Sequence, residues 1–224
     1  MMAWLRCDNI LIEDCPTLEW DDRSKDWLKT VRAKQRQPLE ALPPEHPDHV
    51  WQFGGPSGIP YPESPAVPLV TSVVHSVGPL PDYSPPAGAS SRFREAVERF
   101  EPGVHQFFPM EVLLGDGTVD TSRWLMHICN RVDAIALEHC ADVHEYRPKP
   151  DQHPGWYYYR SNFDSKTRIA VRKSIISGKA LWYDWRLQRF FLGQELGQFL
   201  IENGFRGWSL PSDGLGRSQH VAEV

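Results

Sequence analysis

The chain has 224 residues, 41% of them apolar, and its 29 acidic and 24 basic side chains leave a formal charge of −5. That is enough apolar side chain for a sizeable core, either as one large domain or as a domain with a long N-terminal extension, and no window approaches the roughly 18 consecutive apolar residues of a membrane span. Residues 1–150 carry 22 acidic against 14 basic side chains, a net −8, and residues 151–224 carry 7 against 10, a net +3, a balance that argues against nucleic-acid binding by the first part and suits a basic partner.

At the N-terminus "MAWLRCDNILIEDC" alternates as a strand does, while Arg6, Asp8, Glu13 and Asp14 interrupt the apolar residues and exclude a signal-type segment, so the expected location is the cytoplasm. "DDRSKDWLKTVRAKQR" is helical in composition, with Asp21 or Asp22 as N-cap. Thirteen of the 20 prolines lie between Pro38 and Pro86, where fixed φ and missing amide donors predict extended loops without long helices or central strands. Within them Trp51, Phe53, Ile59, Tyr61, Val67, Leu69 and Val70 supply apolar side chains with which this region can wrap around a core. "SSRFREAVERF" predicts a second helix, capped by Ser90 or Ser91 and ended by Pro102 and Gly103.

A hairpin follows. Phe108, Met110, Val112 and Leu114 share one face of a strand and Trp124, Met126 and Ile128 one face of the next, so the period of two places both sets against a common core, with "GDGTVDTS" as the turn. Pro109 predicts an edge or a bulge. Further on, "RIAVR" and "KALWYD" are strand-like. "LGQELGQFLIENG" puts Leu192, Leu196, Phe199 and Leu200 on one helical stripe, closed by Gly204 with Phe205 folding back over Leu200, and "RGWSL" predicts a last short strand. The fold class expected is α+β: an antiparallel sheet with few helices, preceded by a proline-rich extended region, with residues 1–88 as an N-terminal part and 89–224 as the α+β domain.

Motifs of catalysis are missing from the sequence: it contains no P-loop, dinucleotide fingerprint, G-x-S-x-G elbow or H-E-x-x-H. "GGPSG" at 54–58 reads as a turn, and Asp21 with Asp22 as helix capping. His139, Cys140, Asp142, His144 and His153 have no zinc-ligand spacing, and Cys7, Cys15, Cys129 and Cys140 read as buried thiols, so neither a metal nor another cofactor is expected. "GWYYYR" at 155–160 puts aromatics on both faces of a strand, and exposed aromatics make interface anchors.

"HQFFPMEVLLGDGT" and "RWLMHICNRVDAI", followed by "GKALWYDWRLQRFFLGQELGQFLIENGFRGWSL", resemble the C-terminal domain of a bacterial immunity family, the eleventh class of polymorphic-toxin immunity proteins, over residues 89–210. Similar proteins often begin the last helix with Ser or Asp, where this chain has Gly193 and Gln194. The resemblance implies no catalytic site but a scaffold that binds and neutralises a cognate secreted toxin, for instance one delivered by a type VI secretion system, and the acidic balance points to a nuclease. Candidate toxin-binding residues are Glu13, Asp14, Glu19, Asp21, Asp22 and Asp26, helped by Trp20, Trp156 and Tyr158. A metal-dependent hydrolase built around His139, Asp142 and His144, and a chaperone or adaptor for an effector, are the rival classes.

Overall fold

The computed structural model describes residues 2–5, 17–43, 46, 58–75, 80–84, 88–146, 158–161, 168–206 and 220–224. Helices begin where a short polar side chain accepts one of the first free amides. Asp21 accepts from the Ser24 amide at 2.8 Å to start α1, Asp22–Glu40, and Ser90 accepts from Phe93 at 3.1 Å to start α2, Ser91–Phe100. Two shorter helices follow, α3 at Lys173–Ile176 and α4 at Gln194–Glu202. Helix α1 runs on through Pro38, past the Arg36 at which the sequence predicted its end. In the last turn, proline removes a single ladder donor and the helix continues for two more residues.

The described strands form two six-stranded sheets and one ribbon, so the chain is α+β with mainly antiparallel sheets and few helices, as expected. In the first sheet the order is β11 (Ile169–Val171), β14 (His220–Glu223), β1 (Met2–Leu5), β13 (Arg189–Leu192), β12 (Leu181–Asp184), β8 (Arg131–Val132). In the second it is β2 (Thr17–Trp20), β3 (Leu69–His75), β6 (Gln106–Leu113), β7 (Val119–His127), β5 (Gly88–Ser90), β4 (Tyr83–Ser84). The ribbon pairs β9 (Val143–Tyr146) with β10 (Tyr158–Ser161). Strand β1 pairs with β13 and β14, and β3 with β6, so hydrogen bonds cross residue 88 in both sheets.

Strand β3 corrects the expectation that the proline-rich region holds no central strand. Between Pro68 and Pro79 the chain is free of proline, and Val70, Thr71, Val73 and Val74 are β-branched, so the segment donates normally to neighbours on both sides. The stretch before it lies along the core as predicted for Tyr61 and Leu69, which are buried, whereas Val67 is 46% exposed. Gln106 pairs with the backbone of Tyr61 in both directions, at 2.7 and 2.9 Å, and Tyr61 stacks on His127 with ring centroids 3.9 Å apart. Trp51 and Phe53 lie outside the described residues.

Register also corrects the reading of the hairpin. Phe108 stands opposite Leu125 and Phe107 opposite Met126, and directly opposed residues share a face. Phe108, Met110 and Val112 therefore face Val31, Tyr61 and Leu69, while Met126 and Ile128 face away from them toward Phe93, Val97, Leu196 and Leu200. Near β7 the second sheet has a core on each side, not one common core. Pro109 lies in an interior strand beside an irregularity in register at Met110–Val112, the bulge and not the edge. Strand β12 is likewise buried on both faces: Leu181 joins the inner core between the sheets, and Trp182 stacks on Phe191 on the other side.

Leu192 belongs to β13, and α4 starts only at Gln194. Gly193 at its start has no side chain to cap with, but a β-carbon there would come within 2.8 Å of the Lys179 carbonyl, so close approach of β12's lead-in, not capping, selects glycine. The other end is as predicted: Gly204 has φ of 61°, its amide donates to Ile201 at 3.0 Å, and the Phe205 amide donates to Leu200 at 3.0 Å, the two bonds of a Schellman ending, with Phe205 buried against Leu200. Gly204→Val is expected to cost about 1 kcal/mol or more through backbone strain. Denaturation midpoints check this; an unchanged midpoint contradicts it. "RGWSL" beyond Arg206 lies outside the described residues.

Candidate functional site

Of the candidate partner-binding residues, Glu13, Asp14 and Trp156 lie outside the described residues, and Tyr158 is placed only as backbone of β10, opposite Tyr146. The rest are on β2 and the first turns of α1. Glu19 is exposed on β2. Trp20, the next residue, points to the opposite face and packs partly against the core of Val31, Tyr61 and Phe108. Slight burial pushes the Asp21 carboxyl up, but hydrogen bonds from Ser24, with Arg23 and Lys25 nearby, outweigh it and hold it below the ordinary value. Asp21 is thus occupied as a cap. Asp22 and Asp26 are exposed one turn apart, with Lys25 3.4 Å from Asp22 and Lys29 lining the same shallow surface as Asp26.

Glu19 belongs to a wider surface. Across the second sheet it is aligned with Ser72, Leu113 and Val119, which face the same way because they are paired in register. Val70, Val74 and Glu111 alternate onto that face from β3 and β6. Val74, Leu113 and Val119 are 58, 39 and 48% exposed. Helix α2 covers the β5–β7 part of the same face through Phe93, Ala96 and Val97, and Arg94 lies 3.9 Å over the Trp124 ring at its border. Among the described residues no element covers the β2–β3–β6 part. Sequence reasoning missed Glu111, Leu113 and Val119, although "EVLLGDGTV" is apolar at both parities, so one set had to face away from the core.

Several residues of the stretches that carry the family resemblance, His105, Cys129, Asn130 and Leu181 among them, are structural in role. Glu101, buried at the end of α2, accepts from His105 Nε2 at 2.9 Å, from Asn130 at 2.8 Å and from the Leu181 amide at 2.8 Å. The Cys129 amide donates to His105 Nδ1 at 3.1 Å, which leaves the ring proton on Nε2, facing Glu101. This knot ties the second sheet to β12 of the first. Nearby, Asp133 pairs with Arg186 at 2.6 Å, and fully buried Asp184 accepts the amides of Ala134, Leu187 and Arg186. Burial pushes the Asp184 carboxyl up to about 6, against the pull of the amides of Leu187 and Ala134.

His127 shows the opposite shift. Burial lowers it to about 4, against the Ile59 carbonyl to which its Nε2–H donates. A base depressed in the folded state stabilises the protein above its ordinary value near 6.5 and loses that contribution as pH falls through 4, a span worth up to about 3 kcal/mol. His127→Phe keeps the stack on Tyr61 and cannot titrate. The stability difference between wild type and this variant is therefore expected to shrink as pH is lowered from 7 to 4; a pH-independent difference contradicts the assignment.

His139, Asp142 and His144 are exposed, and His153 lies outside the described residues. The Cys140 thiol is pushed up by burial and bonds backbone at Ala136 and Ala170, and burial raises Cys129 to about 11. Among the described residues no group of three or more His, Cys, Asp and Glu is placed to hold a metal ion.

With the scaffold and the open face in view, the class they fit is a binding protein. The chain belongs to the Imm11 immunity protein family, which it matches over residues 14–211. The match begins well before residue 89, where the resemblance read from the sequence started, and so takes in β2, α1 and β3. No curated protein matches the chain. Among the described residues no helix is long and apolar enough to cross a membrane.

Proposed function

We propose that this protein is an immunity protein that binds a cognate antibacterial toxin and neutralises it by occlusion, without catalysis, in the cytoplasm of the cell that makes it. Membership of an immunity family over residues 14–211 is the observation that carries this reading. The toxin is a nuclease, delivered for instance by a type VI system: such an enzyme presents basic residues to phosphate, and residues 1–150 here carry a net −8. The division at residue 88 is one of role. Residues 1–88 bring the acidic contacts, Glu13, Asp14, Glu19, Asp22 and Asp26 with Asp21 as cap and Trp20 behind, and residues 89–224 the scaffold, with Trp156 and Tyr158 as aromatic anchors.

Co-expression with the toxin domain encoded by the adjacent reading frame tests this reading. Growth is restored when the protein is present and lost when it is absent; no rescue contradicts it. Charge reversal is placed on Asp22 and Asp26 and not on Asp21, whose loss as N-cap costs about 0.5–2 kcal/mol in its own right. Asp22→Lys with Asp26→Lys is expected to slow association on the order of tenfold at low salt, to flatten its salt dependence and to leave dissociation nearly unchanged. Association rates equal to wild type at two salt concentrations move the contact away from α1.

A further inference from the structure

We propose that the part of the second sheet that no described element covers, the row Glu19–Ser72–Leu113–Val119 with Val74 and Glu111 beside it, is the docking face for a toxin segment that is apolar at its centre and bordered by Lys or Arg. This rests on the immunity reading above. Three apolar side chains, Val74, Leu113 and Val119, stand exposed together on strands whose other faces are locked into the core by Leu69, Met110 and Val112. A surface so braced has little freedom to lose, which lowers the ordering cost of association. Glu19 and Glu111 lie on the same face, and among the described residues neither carboxylate has a hydrogen bond or ion pair. Asp116 adds a third carboxylate at the tip of the hairpin, fully exposed and held low by bonds from Thr118, its hydroxyl and its amide.

That chemistry chooses between occupants. A second copy of this chain docking face to face about a two-fold axis would bring two pairs of free carboxylates, Glu19 and Glu111 of each copy, onto one small apolar patch, where like charges repel. A basic partner pairs with them instead. Arg94, a cation at the border of this face, is stacked over Trp124 and stands on the α2 side.

The test uses the full-length protein and the toxin domain from the adjacent reading frame, with Kd and rates measured for Leu113→Lys/Val119→Lys and for Glu19→Lys/Glu111→Lys. The first pair is expected to weaken binding about 100-fold, mainly through faster dissociation, and the second to slow association about tenfold. Both sites are on the surface, so melting curves stay as in wild type; if the first pair alters its curve, the second decides. Wild-type binding that both variants reproduce overturns the docking face and leaves the immunity reading standing. A wild-type protein that does not bind the toxin removes both. Loss of a wild-type homodimer in either variant, with toxin binding intact, assigns the face to a second copy and overturns the proposal.

Discussion

Asp184→Ala is expected to destabilise the protein by about 3 kcal/mol or more, enough to threaten folding at ordinary growth temperature. Asp184 is fully buried at the end of β12 and accepts the amides of Ala134 at 2.7 Å, Leu187 at 2.9 Å and Arg186 at 3.1 Å. Each buried amide left without an acceptor costs about 1–3 kcal/mol. Asp184→Asn keeps one oxygen for Leu187 and Arg186 but turns an NH2 toward the Ala134 amide, and is expected to fall between wild type and alanine. Because the folded carboxyl is raised to about 6 from 3.8, its protonated form supplies stability that is full below 3.8 and lost as pH rises through 6. The cost of Asp184→Asn is therefore largest in acid and shrinks toward neutrality. Urea midpoints across pH check both statements; an alanine variant within about 0.5 kcal/mol of wild type contradicts the first, and an asparagine cost that does not fall from acid to neutral pH contradicts the second.

Glu101→Leu is expected to cost about 3 kcal/mol as well, and its signature is coupling. The change strands His105 Nε2–H, the Asn130 amide and the Leu181 N–H in the interior between the sheets. His105→Leu alone leaves the carboxylate short of one donor. Made together, the two changes remove both members of one buried pair, so the double variant costs less than the sum of the singles by about 1 kcal/mol or more. Strict additivity in a double-mutant cycle contradicts the Glu101–His105 pair at the end of α2.

Local signals in the sequence were sufficient wherever a few neighbouring residues decide the geometry. Asp21, Ser90 and Gly204 announced helix ends because caps depend on residues within one turn of themselves. Pairing across the chain was less legible. That β3 slips between β2 and β6, and that Met126 faces a different core from Phe108, depend on register set by partners some 20–50 residues away. The buried acceptors at Glu101 and Asp184 look in sequence like any surface carboxylate, since only tertiary packing brings amides to them. For the candidate site, the acidic run at Glu19–Asp26 was visible as composition. Its division into cap, ion pair and open face needed the fold, as did the recruitment of Leu113 and Val119 from the far hairpin.

Neutralisation by occlusion implies a stoichiometry, and this gives the most direct measurement: toxin activity titrated with the purified protein at a toxin concentration well above Kd. Activity is predicted to fall linearly and reach zero at one equivalent, with no dependence on incubation time once binding is complete, since occlusion requires one immunity protein held on each toxin. Inhibition that proceeds with time at far less than one equivalent, as an enzyme acting on the toxin or its product would give, contradicts it, as does full toxin activity at excess protein.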